Sequence, residues 1–136
     1  MKKEKHEEIL KEVLDEIGSA LNDKRGLLSH QRRLAFSLSL GAVNLIELYF
    51  HKLSIIKGGT QIDHTWFKRS ENRILEKLQT QITGQIDSIE NIKKIIDIAK
   101  QIEEKRDDLA YGVPASDKIL QEKINLFFML KKVVKC

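Results

Sequence analysis

Apolar residues recur at steps of three and four through nearly the whole chain, the spacing that lines one face of an α-helix. Ile9, Leu10, Val13, Leu14, Ile17, Ala20 and Leu21 predict a first amphipathic helix ending within residues 22 to 26. From residue 27 to about 57 apolar side chains cover several faces, which predicts a long second helix at the centre of a bundle. Gly58, Gly59 and Thr60 break it and a loop runs to Asp63. A third helix is predicted from about 66 to 82, carrying Phe67, Ile74, Leu75 and Leu78. A fourth follows Thr83 and Gly84 and carries Ile86, Ile89, Ile92, Ile95, Ile96, Ala99 and Ile102.

After Gly112, Val113 and Pro114, Ser116 caps a last helix that starts at Asp117 and buries Ile119, Leu120, Ile124, Phe127, Phe128, Val133 and Val134. No sustained two-residue alternation is present, so no strands are expected. The expected fold is all-α, a single-domain antiparallel bundle of about five helices over residues 1 to 136 with a long central second helix.

Composition fits one soluble domain. Of 136 residues, 41% are hydrophobic and 32% charged, and 24 basic against 20 acidic groups leave a net charge of +4 with the signs interleaved. Asn44, Glu47 and His51 interrupt the apolar second helix, which argues against a membrane span. The only cysteine, Cys136, excludes an intramolecular disulfide and a paired-cysteine metal site. Nothing near Met1 resembles a signal peptide, and a cytoplasmic location is expected. Phosphate-binding glycine loops, zinc motifs and nucleophile elbows are absent, so no metal or cofactor is expected. A basic surface assembled from Arg32, Arg33, Lys68, Arg69 and Arg73 would suit a helical nucleic-acid-binding protein.

Two groups of residues carry candidate chemistry. Arg33, Ser37, Gly41, Asn44, Glu47 and His51 fall on one face of the second helix, either its solvent edge or a wet site or subunit interface. In the second case Glu47 needs a cationic partner. The other group is Arg106-Asp107-Asp108-Leu109-Ala110-Tyr111-Gly112, read as the end of the fourth helix with Tyr111 turned inward, or as a plain helix stop at Gly112.

This order of helices, with Glu47 inside the second and Arg106 to Gly112 between the last two, resembles the HEPN superfamily, helical domains that accompany minimal nucleotidyltransferases. The family's signature is an arginine, a polar residue and a histidine four to six positions after the arginine, used by active members for metal-independent RNA cleavage at a dimer interface. Arg106 and Asp107 match, and Tyr111 stands at the histidine position. A phenol titrates near 10 and an imidazole near 6.5, so loss of the histidine removes the proton-transfer group. The resemblance therefore implies a non-catalytic homodimer whose interface includes Asn44, Glu47, His51, Arg106, Asp107 and Tyr111. Its implied partners are a nucleotidyltransferase-like protein and, more distantly, RNA or a nucleotide, with no membrane. An active ribonuclease of the toxin kind is the alternative, with proton chemistry from Tyr111 or from His51.

Overall fold

A computed structural model describes residues 2 to 135, and Cys136 lies outside them. The chain folds into α1 (Lys3–Leu21), α2 (Gln31–Lys52), α3 (Glu71–Gln79), α4 (Ile92–Glu103), α5 (Arg106–Tyr111) and α6 (Asp117–Val133). Short 3-10 turns at Leu27–His30, His64–Lys68 and Ile86–Ser88 join them. The expected all-α architecture is observed, with five helices of at least nine residues and one shorter helix, α5. No strand occurs among the described residues, and the nearest approach to one is an isolated antiparallel bridge between Ile56 and Ile82.

Helix α2 is the axis of the bundle. Leu34, Leu38, Leu45, Ile46, Leu48 and Phe50 are buried on several of its faces, as their unbroken apolar run requires. The stretch Leu27–Lys52 has the length and apolarity of a membrane span, yet 72% of its most apolar window lies inside this bundle. Contacts between distant residues fix the directions of the helices. His6 meets Asn44 while Glu16 meets Arg33, so α1 runs antiparallel to α2. The Tyr49 hydroxyl donates to the Glu90 carbonyl and the Ser39 hydroxyl to Glu103, so α4 also opposes α2. Asp117 accepts from the Leu28 amide and Phe127 lies over Gly41, so α6 runs parallel to α2.

Several helix ends differ from the sequence expectation, each for a local reason. The third helix is split, because Ser70 takes an extended conformation and its hydroxyl accepts from the Arg73 amide, starting α3 only at Glu71. Ile86 and Ile89 are buried from a 3-10 turn and its flank, and α4 starts after Asn91, whose φ of 64° reverses the chain. Helix α2 stops at Lys52. Ile55 and Ile56 lie beyond it, where the Ile55 carbonyl accepts from the Thr83 amide and the Gln81 carbonyl accepts from the Lys57 amide. The Ser116 cap is as expected, with its hydroxyl 3.2 Å from the Ile119 amide.

Gly41 is required by packing. A Cβ there would lie 2.5 Å from the Phe127 ring and 3.0 Å from Val13, so α1, α2 and α6 converge on a point where only hydrogen fits. Gly41→Ala should lower stability by about 1–3 kcal/mol through overpacking, and Phe127→Leu in the same chain should recover part of the loss. Urea denaturation of the two single variants and the double variant measures this coupling.

Candidate functional site

The segment Arg106 to Gly112 does not end α4. Glu104 leaves the helical conformation and Lys105 adopts a left-handed one (φ 60°), so Arg106 begins a separate six-residue helix, α5. Helix α6 holds the break in place. Lys123, half-buried with its ammonium disfavoured by that burial, donates to the carbonyls of Glu104 (2.7 Å) and Gln101 at the α4 terminus. Gln31 of α2 clamps the far end of α5. Its amide nitrogen donates to the carbonyls of Leu109 (3.0 Å) and Val113 (3.2 Å), and its oxygen accepts from the Ala115 amide (2.8 Å). Gly112 closes α5 with its amide on the Asp108 carbonyl, at a φ of −95°, outside the left-handed region. It is needed because a Cβ would strike that same carbonyl.

Arg106 is drawn inward, its side chain 14% exposed, with the guanidinium carbon 5.0 Å from the centre of the Phe36 ring. Its Nη1 donates to Asp107 (2.9 Å), and its Nε is buried with no hydrogen-bond partner. Asp107 also accepts from Lys68 (2.8 Å), and these two contacts, Lys68 first, hold its carboxyl below the usual aspartate range. Tyr111 does not turn inward as expected. It is 71% exposed and meets Phe36 edge-on with centroids 5.9 Å apart, because residues five apart lie about 140° apart around a helix and Arg106 takes the inward side.

The histidine that shares a cavity with Arg106 is His64, which lies outside the Arg106–Gly112 segment. The Asp63 carboxylate accepts from the Thr65 amide and caps the 3-10 turn His64–Lys68, which brings His64 over the end of α4. There the His64 Nδ1 lies 2.7 Å from Glu103, whose other oxygen accepts from the Ser39 hydroxyl at 2.8 Å. Glu103 is buried and His64 is one-third exposed, so a fixed carboxylate orients an imidazole that reaches solvent. Arg106, His64, Ser39, Trp66 and Phe36 line one cavity of about 740 Å³, with Asn44 and Glu47 also on its wall. Arg106 reaches a second cavity of about 540 Å³ beside Lys68 and Asp107.

From Gly41 onward the polar face of α2 is not a solvent edge. Asn44 and Glu47 are buried where α2 meets α1 and the Ile62 segment, and Arg33 is exposed and paired with Glu16 (2.7 Å). The Glu47 partner is His6, a fully buried α1 residue whose Nε2 lies 3.4 Å from the carboxylate. The Ile62 amide donates to the other Glu47 oxygen at 2.5 Å. Burial pushes the Glu47 carboxyl up, against the opposing pull of the Ile62 amide and His6. His51 packs against His6 with ring centroids 5.1 Å apart, so it belongs to this cluster and no contact joins it to Arg106. Among the described residues no three His, Cys, Asp or Glu groups form a metal-holding arrangement.

His6 and Glu103 were both legible as anomalies. His6 continues the buried α1 stripe Leu10, Val13, Ile17, and Glu103 continues the α4 stripe Ile92, Ile96, Ala99. His64 and Ser39 carry no comparable signal. Of the five basic residues grouped from sequence, Arg33 is tied to Glu16 and Lys68 to Asp107, on separate elements.

Comparison with family models, with curated proteins and with solved structures returned no match to this chain. Glu103→Ala should cost about 1–3 kcal/mol by leaving the Ser39 hydroxyl and His64 without their partner. The His64 ring should become mobile, and urea denaturation with imidazole NMR measures both effects.

Proposed function

We propose that this protein is a HEPN-like helical module that acts without catalysis through a homodimer interface built around α5. One observation carries the reading. Phe36, Leu40, Tyr111 and Val113 are all exposed, at 40%, 46%, 71% and 82%, where α2 meets α5 and the segment after it. Arg106 lies beneath Phe36 at the edge of this surface, and large apolar side chains grouped in this way mark contact sites more often than scattered ones do. In a symmetric dimer the two copies of this patch would bury one another. Asp107 already neutralises Arg106 locally, which offsets repulsion between two arginines near one axis. The position of Arg106, Asp107 and Tyr111 on a short helix between α4 and α6 supports the family reading, and a nucleotidyltransferase-like protein in the cytoplasm is the partner class that follows from it. In this reading Asn44, Glu47 and His51 support the fold behind the interface.

A second reading, an active metal-independent ribonuclease, is favoured by the shared cavity of Arg106 and His64. There His64, oriented by Glu103, would supply the imidazole that Tyr111 does not, and His51 would have no part.

Sedimentation should show a dimer at tens of micromolar, and Tyr111→Glu or Phe36→Glu should yield a helical monomer. A monomeric wild-type protein would overturn the first reading. Purified protein incubated with single-stranded and structured RNA tests the second. Cleavage that falls by about two orders of magnitude or more in Arg106→Ala and His64→Ala, and persists in His51→Ala, selects it.

A further inference from the structure

The buried seam between α1 and α2 holds more hydrogen-bond acceptors than donors. The Asn44 amide nitrogen donates to the Leu40 carbonyl (2.9 Å), which turns the Asn44 oxygen toward His6 Nδ1 at 2.8 Å. His6 Nδ1 therefore carries a hydrogen, and in the neutral ring Nε2 is a bare lone pair. That lone pair faces Glu47 Oε2 at 3.4 Å, within ion-pair range but without hydrogen-bond alignment. The Nε2 of His51 is likewise buried and unpartnered. With Glu47 ionised and the His6 ring neutral, two acceptors oppose one another away from water, an unfavourable arrangement. One proton added between Glu47 Oε2 and His6 Nε2 converts the opposition into attraction.

The groups facing Glu47 among the described residues are few, and the positive charge of the α-amino group also pulls its carboxyl down. His6 approaches from α1, Asn44 and His51 lie on α2 itself, and the Ile62 amide approaches from the segment before the His64 turn. Asp63 is turned to Thr65, while His64 and Arg106 stand elsewhere on the cavity wall.

We propose that His6 and Glu47, with the His51 ring packed against them, form a one-proton latch that docks the first half of α1, and that losing the proton as pH rises releases α1 and opens the 740 Å³ cavity. The release is directional. An ionised Glu47 grips the Ile62 amide more strongly, because a charged acceptor makes the stronger bond, so the segment leading to His64 stays in place. The repulsion falls on His6 alone, and Ile9, three residues along α1, is the cavity wall that leaves with it. The latch rests on the seam itself and holds whether or not the cavity is catalytic.

The sign follows from Glu47. Its folded carboxyl keeps its proton above the ordinary glutamate value, so the stabilisation is complete below that value and is lost as pH rises through the raised one. Glu47→Gln supplies the proton's hydrogen bonds permanently. The amide nitrogen can donate to His6 Nε2 while the amide oxygen accepts from Ile62.

Hydrogen exchange of the full chain, corrected for intrinsic rates, between about pH 5 and about pH 9 tests this. In the wild type, protection within the first half of α1 should fall about tenfold or more across the range while the Ile62 amide stays protected. In Glu47→Gln, α1 protection should be flat and at least as high as the best wild-type value. Flat wild-type protection, equal loss at Ile62, or a Glu47→Gln protein that fails to unfold cooperatively in urea would each overturn the proposal.

Discussion

Burial of α2 on nearly every side is the constraint from which the rest of this structure follows. From Gly41 to Phe50 the helix has no free face, and its buried polar side chains must be satisfied from its neighbours, because an unpaired polar group in an apolar interior costs several kcal/mol. Ser39 obtains Glu103 from α4, Asn44 obtains His6 from α1, Glu47 obtains the Ile62 amide, and Gln31 obtains the backbone around α5. Each polar residue on α2 thus selects what packs beside it. Gly41 adds the steric half of the same constraint, admitting Phe127 and Val13 where any side chain would keep α1 and α6 apart.

The site is a consequence of this arrangement. Glu103 is held under the apolar surface of α4 because Ser39 and His64 accept the cost of burying it between them. Arg106 reaches the cavity beside His64 from a new direction, because α4 ends at Glu103 and the left-handed Lys105 restarts the chain. Two residues distant in sequence, His64 and Arg106, thereby share a cavity that no local motif describes.

The helical class was legible because it depends on periodicity, and α1, α2 and α6 are long enough for the period to be unambiguous. The divisions near residues 70, 91 and 105 were not, since they depend on a serine cap and on two non-glycine residues in left-handed conformations, which periodicity does not register. The Glu47 need for a partner could be read from its place among apolar neighbours. Its partner could have been read as well, because His6 occupies the same stripe as Leu10 and Val13, but a search for histidines close in sequence passes over it. The reach of His64 to Glu103 depends on the path of residues 53 to 63, and no pattern of residue types specifies that path.

These placements change what Tyr111 implies. Read along the chain, a tyrosine at the histidine position removes the acid–base group and leaves an arginine with nothing to assist. In three dimensions Tyr111 points to solvent beside Phe36, so a histidine at this position on the same backbone would also face outward rather than toward the cavity of its own chain. The exposed tyrosine therefore belongs to the outer surface of α5, while the imidazole beside Arg106 is that of His64, held by Glu103. The two readings of this protein accordingly divide between two surfaces of one short helix, an outer one carrying Tyr111 and an inner one carrying Arg106.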